Sequence, residues 1–336
     1  MHTFTFMMCS ERSGSNLLTR LMNAHPQVCG PAPIHLLRHL ADHRHRFGDL
    51  SHDHHWQAFL DAAVALLDTR LSPWRTGWTA AELHAACPER SLPSLVRTVY
   101  EAEARAYDKP HLWVKTNHLH RYLPLVLTAF PEARVVHLVR DPRDQALSWK
   151  RSPQHRGDTV RAGRVWTEDQ TRALHIHHQL AGTGRITWLR YEDLIDHPER
   201  VLPHICAHIG RTYTPAMLGF HQDASVQAHA AASSTWKNVG RPLMKGNHGK
   251  YRQALSDDEV RLIEWQCREP MASFGYTPDH AVASPTEGQA LLDRLIPLER
   301  HVKAEYQQVP ESERALRAQR AAVVRAIASR PSLPLP

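Results

Sequence analysis

The chain has 336 residues, enough for one large domain or two modest ones with a core that needs no disulfide or metal staples. Apolar residues at 42% and charged residues at 22% place it among globular rather than disordered chains, and no apolar run is long enough for a membrane-spanning helix. Lys and Arg number 41 against 34 Asp and Glu, a formal charge of +7, but the cations are interleaved with acids, so no nucleic-acid partner is expected.

Five cysteines (Cys9, Cys29, Cys87, Cys206 and Cys267) are scattered, with no CxxC pair. That argues against a disulfide framework or a cysteine zinc site. The opening MHTFTFMMCSER lacks the basic-then-apolar order of a secretory leader, so a reduced, cytoplasmic setting is the expectation. Histidines cluster at His43, His45, His52, His54 and His55, and at His175, His177 and His178. No HExxH accompanies them, and they read as solvated side chains; no metal is expected.

In chain order, residues 3–9 (TFTFMMC) alternate and then turn apolar, which predicts a strand. A polar turn, SERSGSN at 10–16, follows, and LLTRLMNA then predicts a helix that stops at His25-Pro26. Strands are predicted again at 112–116, 134–139 and 185–190, with helices near 93–107, 142–150, 163–180 and 198–209. This alternation predicts an α/β fold: a central, mostly parallel sheet flanked by helices. Ser256 and Glu259 form a capping box that opens a helix to about Arg268. Residues 278–288, with two prolines, read as a linker between a domain at 1–277 and a C-terminal helical extension at 289–336. In that extension Leu316, Val323, Val324 and Ile327 form a narrow apolar stripe, suited to packing on the chain itself or to a homodimer.

Two stretches carry chemistry. A loop between a strand and a helix points backbone N–H groups and the positive helix end at one spot. Within it Gly14 permits close approach, Ser13, Ser15 and Asn16 add donors, and Arg12 adds a charge suited to phosphate or sulfate. This is an anion cradle in the P-loop style without a Walker A sequence, because no GxxxxGK[ST] is present. The second stretch, VVHLVRDPRDQALSWKRS at 135–152, runs from a strand through Arg140 into a helix carrying Ser148. Ion pairing among Arg140, Asp141, Arg143 and Asp144 is the competing reading.

Together, SERSGSNLL and RDPRDxxxS resemble the cofactor signature of sulfotransferases that use 3′-phosphoadenosine 5′-phosphosulfate (PAPS). RYEDL at 190–194 and KGNHGKY at 245–251 resemble two further family segments, in the family's order. The resemblance spans most of residues 4–270 and implies a bacterial-type sulfotransferase with a P-loop-like, three-layer fold. It implies that Arg12, Ser13, Gly14, Ser15 and Asn16 hold the 5′-phosphosulfate, and that Arg140 and Ser148 hold the 3′-phosphate. By the same resemblance Tyr191 lies against the adenine. Lys245, Gly246 and Gly249 close over the 3′-phosphate, with Trp236 and Lys237 nearby. Three positions depart from the family pattern: Arg12 for a frequent lysine, Met244 for a frequent arginine, and Tyr251 for tryptophan.

Sulfuryl transfer, like phosphoryl transfer, asks a protein mainly for positioning and for charge at the departing phosphate. Arg12 and the loop amides suit that task, Lys115 could reach the same oxygens, and the product is adenosine 3′,5′-bisphosphate (PAP). The acceptor also needs a base. The family's KTH stretch is matched by KTNHLH, one residue longer, making His118 the first candidate. In another bacterial branch a glutamate follows the first helix; here His35 is the nearest ionisable group. Residues 35–108 and 151–180 are expected to shape the acceptor pocket, with Trp56, Trp74, Trp78, Trp113 and Trp166 as aromatic candidates or as core. The acceptor, whether small molecule, carbohydrate or peptide, stays open. Rival readings are a P-loop nucleotide kinase or NTPase, which would want a Walker lysine, and a non-catalytic nucleotide- or nucleic-acid-binding protein.

Overall fold

The computed structural model describes residues 2–234, 236–281 and 283–333. Five strands form one parallel sheet: β1 (Thr3–Cys9), β2 (Val28–Cys29), β3 (His111–Lys115), β4 (Arg134–Val139) and β5 (Ile186–Arg190). Their order is β2-β3-β1-β4-β5, so β1 lies at the centre, with Met7 opposite both Lys115 and Val136. The chain leaves β1 toward β2 and β3 on one side and later crosses to β4 and β5 on the other. A crevice therefore opens at the C-terminal ends of β1, β3 and β4, the switch point at which such sheets bind ligands.

The alternation read in residues 3–9 divides two cores. Phe4, Phe6 and Met8 face a cluster with the helices Leu36–Asp42, Asp53–Asp68 and Leu92–Ala106. Met7 and Cys9 face the opposite cluster, with Leu18, Leu21, Trp113, Val136 and Leu138. Thr5, the polar member of the second face, is satisfied by His111 at 2.9 Å. The cysteines are all free.

The sequence reading placed four of the five strands and missed β2. Its two residues are too few to show a period, and it is an edge strand paired only to β3. The expected linker at 278–288 contains the start of the helix Pro285–Leu295. Ser284 and Glu287 form a capping box there, and Pro285, which read as a breaker, occupies the first turn, where proline is tolerated. The capping box at Ser256 and Glu259 is present and opens the helix Asp257–Ser273.

Residues 289–329 are not one continuous helix. After Leu295 come short 3₁₀ turns, and a second helix runs Glu311–Ala328. Its stripe turns onto the chain itself: Ile327 is buried in the first core cluster, with Val323 and Val324 packed against it. Of the tryptophans offered for an acceptor pocket, Trp56, Trp74, Trp113 and Trp166 are buried in the cores, and Trp78 packs on the first cluster. Among the described residues no helix is long and apolar enough to cross a membrane.

Candidate active site

A cavity of about 720 Å³ opens over the C-terminal ends of the central strands. Its floor is the loop after β1. The helix Ser15–Asn23 begins there behind Gly14 with no side-chain cap and no acid in its first turn, so its N-terminal amides remain available to an anion. Gly14 has φ +87°, and a Cβ on it would stand 2.4 Å from Tyr191 Cδ2, so the position demands glycine on two counts. Ser13 Oγ is buried without a hydrogen-bond partner.

Three cations converge on this loop from three segments. Arg12 donates from Nε to Ser148 Oγ at 3.1 Å. Arg140, at the end of β4, donates to the Arg12 carbonyl at 3.0 Å and lies 4.5 Å from the Tyr191 ring centroid, while its own Nε has no partner. Lys115, at the end of β3, is buried and donates to Asn16 Oδ1 at 2.8 Å. None of the three forms an ion pair among the described residues. Burial, with Arg140 nearby, pushes the Arg12 guanidinium down to about 10, and burial also lowers Lys115; Arg12 still carries its charge at neutral pH. The competing ion-pair reading holds for Arg143 alone, which is bound by Asp141 at 2.7 Å and Glu264 at 2.6 Å.

Tyr191 and Trp236 stand on the cavity wall, as do Ser15, Asn16 and Ser148. The 244–250 turn is arranged differently from the expectation. Met244, Asn247 and Lys250 reach the wall, whereas Lys245, Gly246 and Gly249 do not line it. The Gly246 N–H donates to Asp196 Oδ1 at 2.8 Å and the Gly249 N–H to Asp144, which anchor the turn, and Lys245 and Lys237 are exposed. Asn247 Nδ2 donates to the Tyr191 hydroxyl at 3.1 Å.

The two base candidates separate. His118 does not line the cavity, and its Nδ1 is 3.3 Å from Asp169 Oδ1. The residue before it, Asn117, takes the wall position and donates to Glu11 Oε1 at 3.2 Å. The extra residue in KTNHLH has thus turned the histidine away, with His118 in a left-handed conformation at φ 58°. His35 is on the wall. Part of its ring meets the cavity while the protein encloses the rest, and its Nδ1 has no partner. That enclosure, reinforced by Lys115, His39 and Arg320, holds its pKa well below the usual histidine value, so the ring is neutral.

Several wall residues escaped the sequence reading. Burial alone would raise the Glu11 carboxyl, but His155, 3.0 Å away, and Arg38 hold it well below the usual carboxylate range. An acid inside an anion-binding loop was the available signal for it. Arg317 and Arg320 come from the C-terminal helix, on a flank that the apolar stripe drew attention away from.

An uncapped helix start, flanked by cations without ion-pair partners at the switch point of a parallel sheet, defines an α/β fold with a cleft suited to an anionic ligand. Residues 5–215 match the profile of the Sulfotransferase family, and the chain belongs to that family and is a sulfotransferase. Among solved structures, the sulfotransferase domain of the Synechococcus PCC 7002 olefin synthase is similar at 20% identity and a TM-score of 0.47, covering 88% of this chain and 94% of that one. The sulfotransferase domain from the curacin biosynthetic pathway is similar at 17% identity and a TM-score of 0.46, covering 88% and 98%. Mouse sulfotransferase SULT7A1 complexed with PAP is similar at 12% identity and a TM-score of 0.46, covering 88% and 89%. No curated protein sequence matches the chain.

Proposed function

We propose that the chain transfers the sulfuryl group of PAPS to a hydroxyl, phenol or amine of a small-molecule, carbohydrate or peptide acceptor, with His35 as the base. The observation that carries this reading is the convergence of Arg12, Arg140 and Lys115 without counter-ions around an uncapped helix start. Clustered cations that no carboxylate contacts are costly to hold together, and an anion with charge at both ends relieves that cost. The orphaned Ser13 Oγ and Arg140 Nε supply two further unsatisfied donors that fit such a group.

Bound PAPS supplies a sulfuryl group and a phosphate that can depart with its bonding electrons. The amides after Gly14, with Ser13, Ser15 and Asn16, would hold the phosphosulfate end, and Arg140 and Ser148 the 3′-phosphate end, with Tyr191 against the adenine. Arg12 and Lys115 stand where negative charge builds as the phosphate leaves, which is where a fixed cation lowers the barrier most. His35, in the tautomer that keeps its proton on the enclosed Nδ1 and leaves the accessible Nε2 free, takes the acceptor proton. Its depressed pKa makes it a weak base in the empty protein. Negative charge arriving in the cavity raises that pKa and strengthens the base when it is needed.

We assign the base to His35 rather than to His118 because only His35 faces the cavity. The test is direct. Calorimetry with PAP should show one site that weakens on Arg140→Ala, and labelled PAPS should transfer to a member of an acceptor library. ATP binding that is tighter than PAP and dependent on magnesium would replace this reading with that of a nucleotide kinase.

A further inference from the structure

Behind the cavity wall, three metal-ligating side chains meet that the transfer reaction does not use. His118 and His120 lie in the turn after β3, and Asp169 comes from the middle of the helix Thr159–Gln179. Their ligand atoms all lie within 4.8 Å of one another. Asp169 Oδ1 is 3.3 Å from His118 Nδ1 and 3.9 Å from His120 Nδ1, and the two imidazole rings stand at 90° to each other.

A second observation points to a ligand at this place. Asp169 is only 6% exposed, and its Oδ2 is buried with no hydrogen-bond partner. Two histidines sharing Oδ1 leave the other carboxylate oxygen unsatisfied, and such an atom calls for an explanation, an ion being one. The spacing fits as well. Tetrahedral zinc with bonds of about 2.0–2.1 Å to nitrogen and oxygen sets its ligand atoms about 3.3–3.4 Å apart. The His118–Asp169 pair already has that separation, His120 stands 3.9 Å from the same oxygen, and the two imidazoles, within 4.8 Å of each other, must close by side-chain rotation.

We infer that His118, His120 and Asp169 bind one divalent transition-metal ion, Zn²⁺ or a first-row neighbour, with water completing the shell. Two imidazoles and one carboxylate suit these ions and disfavour Mg²⁺ and Ca²⁺, which want oxygen. The outer nitrogen of His120 faces the ion pair of Arg172 and Glu168, where Arg172 Nη1 lies 3.4 Å from Nε2. Metal on Nδ1 places a proton on Nε2, so that weak contact yields and the Glu168 carboxylate becomes the acceptor at that edge. None of the three ligands lines the cavity, so the ion is structural. It pins the turn that carries Asn117 to the helix that carries Asp169.

The experiment uses the full chain stripped with a chelator and titrated with Zn²⁺ against a chromophoric competitor. The expected result is one saturable site, weakened at least tenfold by Asp169→Asn and by His120→Ala, with a rise in melting temperature on stoichiometric Zn²⁺ that both variants lose. Because the chain has 26 histidines, a His52→Ala/His54→Ala variant at the surface cluster serves as control and should leave that site unchanged. If Asp169→Asn does not fold, Co²⁺ on the unaltered protein still decides the matter through the visible d–d absorption of a nitrogen- and oxygen-ligated ion. Absence of a saturable site, absence of that absorption, or a site indifferent to both ligand variants would overturn the inference.

Discussion

Arg12 Nε donates to Ser148 Oγ at 3.1 Å, joining the loop after β1 to the helix after β4 across 136 residues of sequence. Arg140 returns the link by donating to the Arg12 carbonyl at 3.0 Å. The two ends of the proposed PAPS site are thus held together before any ligand arrives, which is what preorganised charge stabilisation requires. Replacing Arg12 with alanine removes both the cation and the latch. Turnover should fall by about 10²–10³-fold, in the range for losing one such donor, with a smaller change in PAP affinity. Ser148→Ala should weaken PAP binding while keeping most of kcat. Single-turnover kinetics beside PAP calorimetry separate the two effects, and equal losses in binding and turnover for Arg12→Ala would contradict the assignment.

Gly14 and Tyr191 give a sharper test of the adenine end. A methyl group at Gly14 would overlap the Tyr191 ring, at 2.4 Å from Cδ2, in a left-handed backbone that already costs a non-glycine residue roughly 1–2 kcal/mol. Gly14→Ala should therefore push Tyr191 aside and lower PAP affinity at least tenfold. The far-UV circular dichroism should be unchanged, because the strain is confined to the loop. Retained affinity would mean that Tyr191 does not contact the nucleotide.

Much of this arrangement was legible in the sequence because it is local. The strand–loop–helix at 3–23 and the strand–helix at 134–150 announce themselves through periodicity, a glycine and a proline at a helix start. The capping box at Ser256 and Glu259 is equally local. What stayed hidden depends on direction and long range. KTNHLH shows that a histidine lies near the end of β3, but not that its one extra residue turns His118 toward Asp169 and leaves Asn117 on the wall. Glycines at 246 and 249 suggested a loop closing on phosphate, yet Asp196 and Asp144 accept their amides. Arg320 reaches the cavity from a helix nearly three hundred residues from Ile34, whose carbonyl it holds. Periodicity carries no information about such contacts.

The base assignment predicts a pH profile. A general base works when neutral, so activity falls as pH drops through its pKa. In the empty protein His35 lies well below the usual histidine value because of burial and the cations around it. The acid limb of kcat/KM should thus lie below the ordinary histidine range, and the limb of kcat, read with anion bound, should move to higher pH. His35→Ala should abolish most turnover and leave PAP affinity within a few-fold, whereas His118→Ala should keep turnover near normal. The reverse pattern would transfer the role to His118.

Stability should also depend on pH, with a defined sign. Burial pushes His111 and His137 down to about 3. Between that value and about 6.5 the unfolded chain binds protons that the folded chain refuses, so stability rises with pH and is lost as pH falls below about 6.5. Each histidine that stays neutral contributes up to about 1.4 kcal/mol per pH unit in that window. The urea midpoint should decline steadily from pH 6.5 to 5, before most carboxylates titrate. A flat midpoint over that range would show that these rings are hydrated or partnered when protonated.

The C-terminal helix links stability to the site. Ile327 is buried in the first core cluster, so Ile327→Ala should cost roughly 2–5 kcal/mol, the range for a core isoleucine. Arg320, seven residues earlier on the same helix, donates to the carbonyls of Leu66 and Ile34, and Ile34 precedes His35. Arg320→Ala removes the clamp beside the base while leaving the cations of the donor end in place. The expected outcome is a fall in kcat with little change in PAP affinity, together with an upward move of the acid limb, because a positive charge that depresses His35 has gone. Arg320→Lys keeps the charge but not the two-carbonyl fork, so it should restore the pH profile without restoring the full rate. A variant that lost rate with an unshifted profile would show that Arg320 serves the fold alone.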